Sequence, residues 1–142
     1  MLDRDTIKSR LAKLEEQLVL LSEVQKVDKE RFIKDPKEHI YASHLLQIAI
    51  QCVIDIGSHI VSSLNLGHVE EYRDIVEHLV RGGIIPKDLA EKLRKMIGLR
   101  NLLIHEYLEI NLERLYRIIQ EDLKDLSRFA EHIEEFIELN RR

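Results

Sequence analysis

Apolar residues recur at helical spacing along most of this chain. From about residue 3 to about residue 34 the intervals alternate between four and three, which places the apolar side chains on one stripe of a first helix. Pro36 ends that segment and opens a second helix, predicted to run to about residue 64, where Gly67 marks its end. The second segment is apolar nearly all round and is therefore predicted to be the central helix. The stripe of the first helix consists of Ile7, Leu11, Leu14, Leu18 and Leu21.

Three further helices follow at shorter intervals. A short third helix carries apolar residues from Tyr72 to Leu79, and the pair Gly82 and Gly83 breaks it. Pro86 suits the first turn of a fourth helix, whose buried stripe Leu89, Leu93, Met96 and Ile97 is continued by Arg100. Asn111 is predicted to be the N-cap of a last helix. Its inward positions are Leu115, Ile118, Ile119, Leu123, Leu126, Phe129, Ile133 and Phe136.

Length and composition indicate one compact domain. The chain has 142 residues, of which 44% are apolar and 34% are charged, enough for a sizeable core. No β pattern or internal repeat interrupts the helical segments, and the connections between them are short. We therefore predict an all-α fold, an up-down helical bundle of four to five helices formed by residues 1–142 as a single domain.

Charge and cysteine content narrow the function further. A net charge of −4 argues against a broad electropositive surface for nucleic acid, so any RNA contact is expected to be local. Cys52 is the only cysteine, which excludes an internal disulfide and a cysteine-rich zinc site. No run reaches the roughly 18 apolar residues of a membrane span. We expect a cytoplasmic protein that makes no membrane contact.

Basic residues are concentrated between the end of the third predicted helix and the candidate motif. They are Arg81, Lys87, Lys92, Arg94, Lys95 and Arg100.

Polar chemistry interrupts the apolar pattern in the run LRNLLIHEY at residues 99–107. Arg100 offers an always-charged phosphate binder, and His105 offers a group that transfers protons near neutral pH. On an ideal helix the two residues lie roughly 140° apart and about 7.5 Å along the axis, so two facing copies of the chain would bring them together. A buried guanidinium would be costly unless it meets a carboxylate, a water-filled cleft or a subunit interface. A purely structural role for both residues remains the alternative.

The arrangement Arg100, four residues, His105, one residue, Tyr107 resembles that of the HEPN domains, and within them the HepT toxins. The central helix, from Leu45 to Ile60, and the phrase Gly83-Ile84-Ile85-Pro86 extend this likeness to nearly the whole chain. The resemblance implies a HEPN-like homodimer and a metal-independent endoribonuclease, which cleaves mRNA or tRNA. Arg100 and His105 would be its catalytic residues.

Chemistry consistent with that resemblance can be written for these residues. Neutral His105 would take the proton of a ribose 2′-hydroxyl, while Arg100 would hold the adjacent phosphate and stabilise the added charge. Asn101 would support them by donating a hydrogen bond to the phosphate or by orienting the imidazole. DNA lacks the attacking hydroxyl and should resist cleavage.

The resemblance also implies a partner, a minimal nucleotidyltransferase (MNT) antitoxin. This antitoxin would transfer AMP from ATP to Tyr107, and the bulky anion beside His105 would repel incoming phosphate. ATP thus belongs to the antitoxin, and no cofactor is expected for this chain. Without that role, Tyr107 is a semi-buried aromatic at a helix end.

Other patterns carry less chemistry. Asp55 and His59, four residues apart on the central helix, are predicted to form a structural pair rather than a metal site. None of the seven histidines follows a glutamate by three residues, the spacing of di-iron bundles, so we predict no metal. No glycine-rich phosphate loop or nucleophile elbow is present. The alternative function is a non-catalytic helical dimer that binds a nucleotidyltransferase or a nucleotide, a hypothesis that the acidic net charge favours.

Overall fold

The computed structural model describes residues 2–105 and 111–140, without the side chains of residues 101, 104 and 105. These residues form seven helices and no strand, which confirms the all-α bundle. The helices are α1 (Arg4–Val24), α2 (Lys29–Lys34), α3 (Pro36–Ser63), α4 (Asp74–Arg81), α5 (Lys87–His105), α6 (Leu112–Glu121) and α7 (Leu123–Leu139).

The helix α3 lies at the centre of the bundle, as its all-round apolarity predicts. It packs against α1, α2, α4, α5 and α7, and thirteen of its residues are buried. An 18-residue window of α3 has a mean hydropathy of 1.5, so by length and composition alone this helix could cross a membrane. In the structure 61% of that window is buried inside the protein, as expected for the core helix of a bundle.

Two predicted helices are each interrupted, which corrects the predicted number from five at most to seven among the described residues. The first predicted helix ends at Val24, and Asp28 starts a new one by accepting a hydrogen bond from the Arg31 N–H. The last predicted helix breaks at Asp122, whose φ of −109° and ψ of −1° leave the regular helix. Neither break contains glycine or proline. A prediction that places helix ends at these two residue types therefore misses both breaks.

Helix ends follow local capping rules. Asn65, with a φ of 53°, ends α3, because the Leu66 N–H bonds the Val61 carbonyl at 3.0 Å. The last helical residue, Ser63, is one residue from the predicted end at about residue 64, but the residue that ends the helix is Asn65 rather than the predicted Gly67. Gly83, with a φ of 73°, ends α4 in the same way, with the Ile84 N–H on the Leu79 carbonyl. The prediction that Asn111 caps a helix is confirmed, since its side chain accepts from the Arg114 N–H.

The α5 helix carries the candidate motif along one side of the bundle. It packs against α3, α4 and α7, with Leu89 and Leu93 fully buried. Pro86 supplies the first helical acceptor, because its carbonyl takes the Ala90 N–H at 3.1 Å. The helix is continuous from Lys87 through Arg100 to His105, so the motif lies on the C-terminal half of a helix whose other end is anchored in the core.

Candidate active site around Arg100

Arg100 lies half-buried where α5 meets α3 and the segment that precedes α4. Its Nε donates to Oε1 of Gln51 over 2.7 Å. Its guanidinium carbon stands 5.2 Å from the centroid of the Tyr72 ring, within the range of a cation–π contact. The prediction required a carboxylate, a water-filled cleft or a subunit interface for Arg100, and the structure provides an amide, an aromatic face and a cleft.

The cleft beside Arg100 is open and has a volume of about 510 Å³. The Tyr72 side of the cleft is held in place by Asp74, whose carboxylate accepts the N–H groups of Glu70 and Glu71 at 3.1 and 3.0 Å. Those two backbone hydrogen bonds lower the pKa of Asp74. The cleft is lined by Glu70, Glu71, Tyr72, Arg73, Ile97, Gly98 and Arg100.

A chain of polar contacts continues from Arg100 across the bundle. Gln51 donates through Nε2 to Oδ1 of Asp55 at 2.8 Å, and Oδ2 of Asp55 lies 3.8 Å from Nε of Arg10. His59 takes no part in it, because its Nε2 accepts instead from the backbone N–H of Asp3 at 3.1 Å. Asp55 and His59 thus each have structural partners, but different ones, rather than forming the predicted pair.

A second, basic groove of about 260 Å³ lies between α5 and α6. Lys92 and Lys95 from α5 and Arg114 and Arg117 from α6 line it and are exposed. Among residues 2–105 and 111–140, none of these four cations forms an ion pair within 4.0 Å. Asp122 and Asp125 line the same groove, and Asp125 lies 4.0 Å from Arg128.

Other basic residues near the motif are neutralised or engaged. Arg94 forms an ion pair with Glu77 at 2.9 Å. Arg81 contacts the ring of His78. Of the predicted basic cluster, Arg81, Arg94 and Arg100 thus have local partners, Lys92 and Lys95 line the α5–α6 groove, and Lys87 is exposed outside it.

The remaining motif residues are only partly visible. The α5 backbone includes Asn101 and His105, but their side chains and the whole of Tyr107 lie outside the described residues. The roles assigned to Arg100, Asn101, His105 and Tyr107 stay predictions. Within the described part of the chain, no three His, Cys, Asp or Glu side chains lie together as metal ligands would.

Two contacts of Arg100 were not found by sequence reasoning. Gln51 and Tyr72 come from other helices or loops, 49 and 28 positions away. A signal for Gln51 does exist, because it is the polar residue in the otherwise apolar run Ile48-Ala49-Ile50-Gln51-Cys52-Val53-Ile54. Polar side chains in such runs require a partner when they are buried.

Comparisons with known proteins agree with this fold. The mRNA nuclease HepT of Shewanella oneidensis is 35% identical over 88 residues, which cover 62% of this chain and 66% of that protein. A solved structure of the tri-AMPylated Shewanella oneidensis HEPN toxin in complex with MNT antitoxin is 29% identical, with a TM-score of 0.85 over 92% of this chain and 98% of that one.

A more distant structure shares the fold. The cytosolic protein YutE of Bacillus subtilis superposes with a TM-score of 0.87 at 24% identity, covering 98% of this chain and 93% of that one. A family model described as ribonuclease HepT-like matches residues 8–133, nearly the whole bundle. The chain therefore belongs to the ribonuclease HepT-like family.

Proposed function

We propose that this protein is the toxin of a toxin–antitoxin pair and a metal-independent endoribonuclease. The observation that carries the proposal is the placement of Arg100: a guanidinium held by Gln51 and Tyr72 at the edge of an open cleft, on the helix that also carries His105. Membership of the HepT-like family and the nuclease name of the Shewanella relative support it.

The reaction needs only this chain's side chains and the ribose of the substrate. The neutral imidazole of His105 takes the proton of a 2′-hydroxyl, and the 2′-oxygen forms a bond to the adjacent phosphorus. The bond from phosphorus to the 5′-oxygen breaks, and that oxygen takes up a proton from the imidazolium formed on His105 or from water. Arg100 stabilises the charge added to the phosphoryl oxygens, with Asn101 in a supporting role. The products are a cyclic phosphate end and a 5′-hydroxyl end.

The backbone geometry of α5 supports a homodimer. Because this helix is regular through His105, positions 100 and 105 lie roughly 140° apart around its axis. Two facing copies would let Arg100 and His105 act on one phosphate. We further assign the protein to the cytoplasm, where RNA is available and where the related YutE is described as residing.

Regulation is proposed to act at Tyr107. A nucleotidyltransferase antitoxin would deprotonate the phenol, whose oxygen attacks the α-phosphorus of ATP and releases pyrophosphate. The AMP ester then adds negative charge two residues from His105, which disfavours a phosphate substrate. The related HEPN toxin solved in an AMPylated state with its MNT antitoxin supports this proposal.

The nuclease activity is tested with the purified full-length chain and single-stranded RNA in EDTA. We expect cleavage by the wild type, and a loss of about 10²- to 10⁴-fold in rate for His105→Ala, the range for a general base. Arg100→Ala should lose about 10²- to 10³-fold. The same sequence as DNA should remain intact.

Arg94→Ala and His132→Ala are the matched controls, because they remove the same residue types from α5 and from α7, away from the cleft. Unchanged activity in His105→Ala, with the controls equally active, would contradict the proposed base. Absence of any cleavage by wild-type protein would favour the non-catalytic dimer that binds a nucleotidyltransferase or a nucleotide.

The modification is tested by intact-mass measurement after incubation with ATP and the antitoxin. We expect added AMP on the wild type and none on Tyr107→Phe; Tyr116→Phe, which removes a hydroxyl from α6, is the control. AMP on Tyr107→Phe would refute the assigned acceptor.

Light scattering on the free protein tests the homodimer. It should give twice the chain mass of 16.8 kDa, and a monomer at micromolar concentration would refute the shared site.

A further inference from the structure

Gln51 presents a neutral hydrogen-bond acceptor to Arg100, the cation of the proposed site. It lies on α3 between the fully buried Ile50 and the nearly buried Cys52, and its Oε1 accepts the Nε–H of Arg100 at 2.7 Å. In the most apolar helix of the bundle, an amide at this place is costly unless both ends of it are bonded. Both ends are, which indicates a specific role for the side chain.

The orientation of the Gln51 amide is set by the charges on its two sides. Its Nε2 donates to Oδ1 of Asp55 at 2.8 Å, and Asp55 is in turn balanced by Arg10 at 3.8 Å. If the amide were flipped, its NH₂ would face the guanidinium and its carbonyl would face the carboxylate, both repulsive. The order of cation, carbonyl, amine and carboxylate therefore holds Gln51 in a single orientation.

The contacts leave one part of the arginine for a ligand. Gln51 takes the Nε–H, and the Tyr72 ring covers a face of the guanidinium. Among the described residues, no hydrogen-bond acceptor engages the two terminal nitrogens. Those nitrogens form the fork that binds a phosphate through two hydrogen bonds, and Arg100 lines the open cleft of about 510 Å³.

A neutral partner also preserves the charge of the arginine. A carboxylate at position 51 would also accept the Nε–H, but it would face the Asp55 carboxylate that Gln51 now bonds and would offset the positive charge that attracts the phosphate. An apolar side chain would preserve the charge but leave the guanidinium free to change rotamer. An amide is the residue type that fixes Arg100 and leaves its charge for the substrate.

We propose that Gln51 is a positioning residue for Arg100, holding the guanidinium through its Nε so that both terminal nitrogens are aimed at the substrate phosphate. The inference rests on the proposed ribonuclease function. Two substitutions at position 51 test the hydrogen-bond acceptor and the absence of charge separately. Gln51→Met is nearly isosteric and removes the acceptor, whereas Gln51→Glu keeps an acceptor and adds a negative charge.

We expect the two variants to fail in different ways. For Gln51→Met the single-turnover rate should fall about 10- to 100-fold, because a displaced catalytic group loses alignment, while the affinity for uncleavable 2′-O-methyl RNA changes little. For Gln51→Glu the affinity for the same RNA should fall, and the rate at saturating RNA should exceed that of Gln51→Met. The control is Gln47→Met, one turn earlier on α3 and also half-buried, which should behave as the wild type.

An NMR measurement tests the tether without using activity. The Arg100 Nε–H signal, assigned by its loss in Arg100→Lys, should exchange slowly with water in the wild type and in Gln51→Glu, and rapidly in Gln51→Met. Equal exchange in Gln51→Met and the wild type would overturn the tether, as would equal cleavage rates. Parallel changes of rate and affinity in both variants, together with a lower melting temperature, would show a merely structural role.

The failure of the proposed function would be recognised separately. If wild-type protein cleaves no RNA, the catalytic part of the inference falls with the proposed function, and the NMR result still decides whether Gln51 holds Arg100. If the wild type cleaves RNA and Arg100→Ala does not, but Gln51→Met matches the wild type, only the role of Gln51 is refuted.

Discussion

At the scale of single residues, the site depends on how a cation is accommodated at the edge of an apolar bundle. Arg100 is paired with an amide and an aromatic ring, and among the described residues with no carboxylate within 4.0 Å. The positive charge of Arg100 is therefore not neutralised by a carboxylate of the described residues, and it faces a cleft that a phosphate can enter. This solution depends on Gln51 and Tyr72 being fixed by their own neighbours, Asp55 and the loop held by Asp74.

A glycine sets the distance between the central helix and the helix that follows the Tyr72 loop. A Cβ atom on Gly57 would lie 2.4 Å from Cγ2 of Ile75, which is 1% exposed. We expect Gly57→Ala to destabilise the protein by about 1–3 kcal/mol through overpacking, against a gain of at most about 1 kcal/mol in helix propensity.

Gly98→Ala is the matched control for this substitution. Gly98 is also inside a helix, but apart from the neighbouring backbone of that helix no atom of the described residues lies within 4 Å of its added Cβ. The control should therefore stabilise the protein by about 0.5–1 kcal/mol. Thermal unfolding measures both variants, and a higher melting temperature for Gly57→Ala than for the wild type would contradict the packing argument.

At this scale the sequence predicts half of the site. The seven-residue interval from Leu93 places Arg100 on the inward side of α5, because helical periodicity acts locally. The partner Gln51 is 49 positions away and is brought near only by the packing of α3 against α5. Periodicity carries no information about which turn of one helix meets which turn of another, so this contact required the structure.

At the scale of helices, apolar stripes predict which segments are helical better than they predict where a helix is interrupted. The apolar α3 is found as predicted, and so is the stripe from Ile7 to Leu21, except that Gln17 is buried where the stripe predicts Leu18 and Leu18 is only partly buried. The breaks after Val24 and at Asp122 were missed, because each uses ordinary residues. The first break brings α2 against α6: Phe32 is fully buried, and its ring centroid lies 5.3 Å from that of Tyr116 at an interplanar angle of 59°.

The seam between α1 and α7 brings two acids together. A hydrogen bond with Glu15, followed by partial burial and by the charges of Glu15 and Glu131, raises the pKa of Glu134. When folding raises the pKa of an acid, the protonated acid stabilises the folded protein. This contribution is present at low pH and is lost as the pH rises through the raised pKa. We therefore expect Glu134→Gln to raise the melting temperature at pH 7, with a smaller gain at pH 4.

Glu135→Gln provides the comparison, since it removes the same charge from the next position of α7. Its effect on the melting temperature should be smaller and should vary less between the two pH values. Equal gains for Glu134→Gln and Glu135→Gln at both pH values would mean that general charge, rather than the contact with Glu15, sets the difference.

At the scale of the whole molecule, an acidic protein has to attract a polyanion. The net charge is −4, yet four exposed cations line one groove beside the motif helix. Local patches of this kind guide binding in spite of the total charge, because salt screens charges more than about 10 Å apart. We accordingly expect the α5–α6 groove to contribute to RNA affinity through phosphate contacts.

The salt dependence of binding measures this contribution. For single strands the slope of log K against log salt changes by about 0.7 for each phosphate contact, so Lys92→Ala/Lys95→Ala should reduce it by up to about 1.4 with uncleavable 2′-O-methyl RNA. Lys8→Ala/Lys13→Ala on α1 removes the same charge and should leave the slope nearly unchanged. Equal slopes for the two double variants would place RNA elsewhere, and weaker binding of the antitoxin alone would assign the groove to that protein.

The tie between Arg100 and the central helix has a consequence for how such a toxin could be silenced. Arg100 is anchored in the middle of the bundle through Gln51, whereas His105 lies five residues further along α5. A chemical group attached close to His105 would block catalysis and leave the anchor, and with it the native packing, unaltered. The silenced molecule would be a stored enzyme, ready to act again as soon as the group is removed, with no need to be synthesised anew.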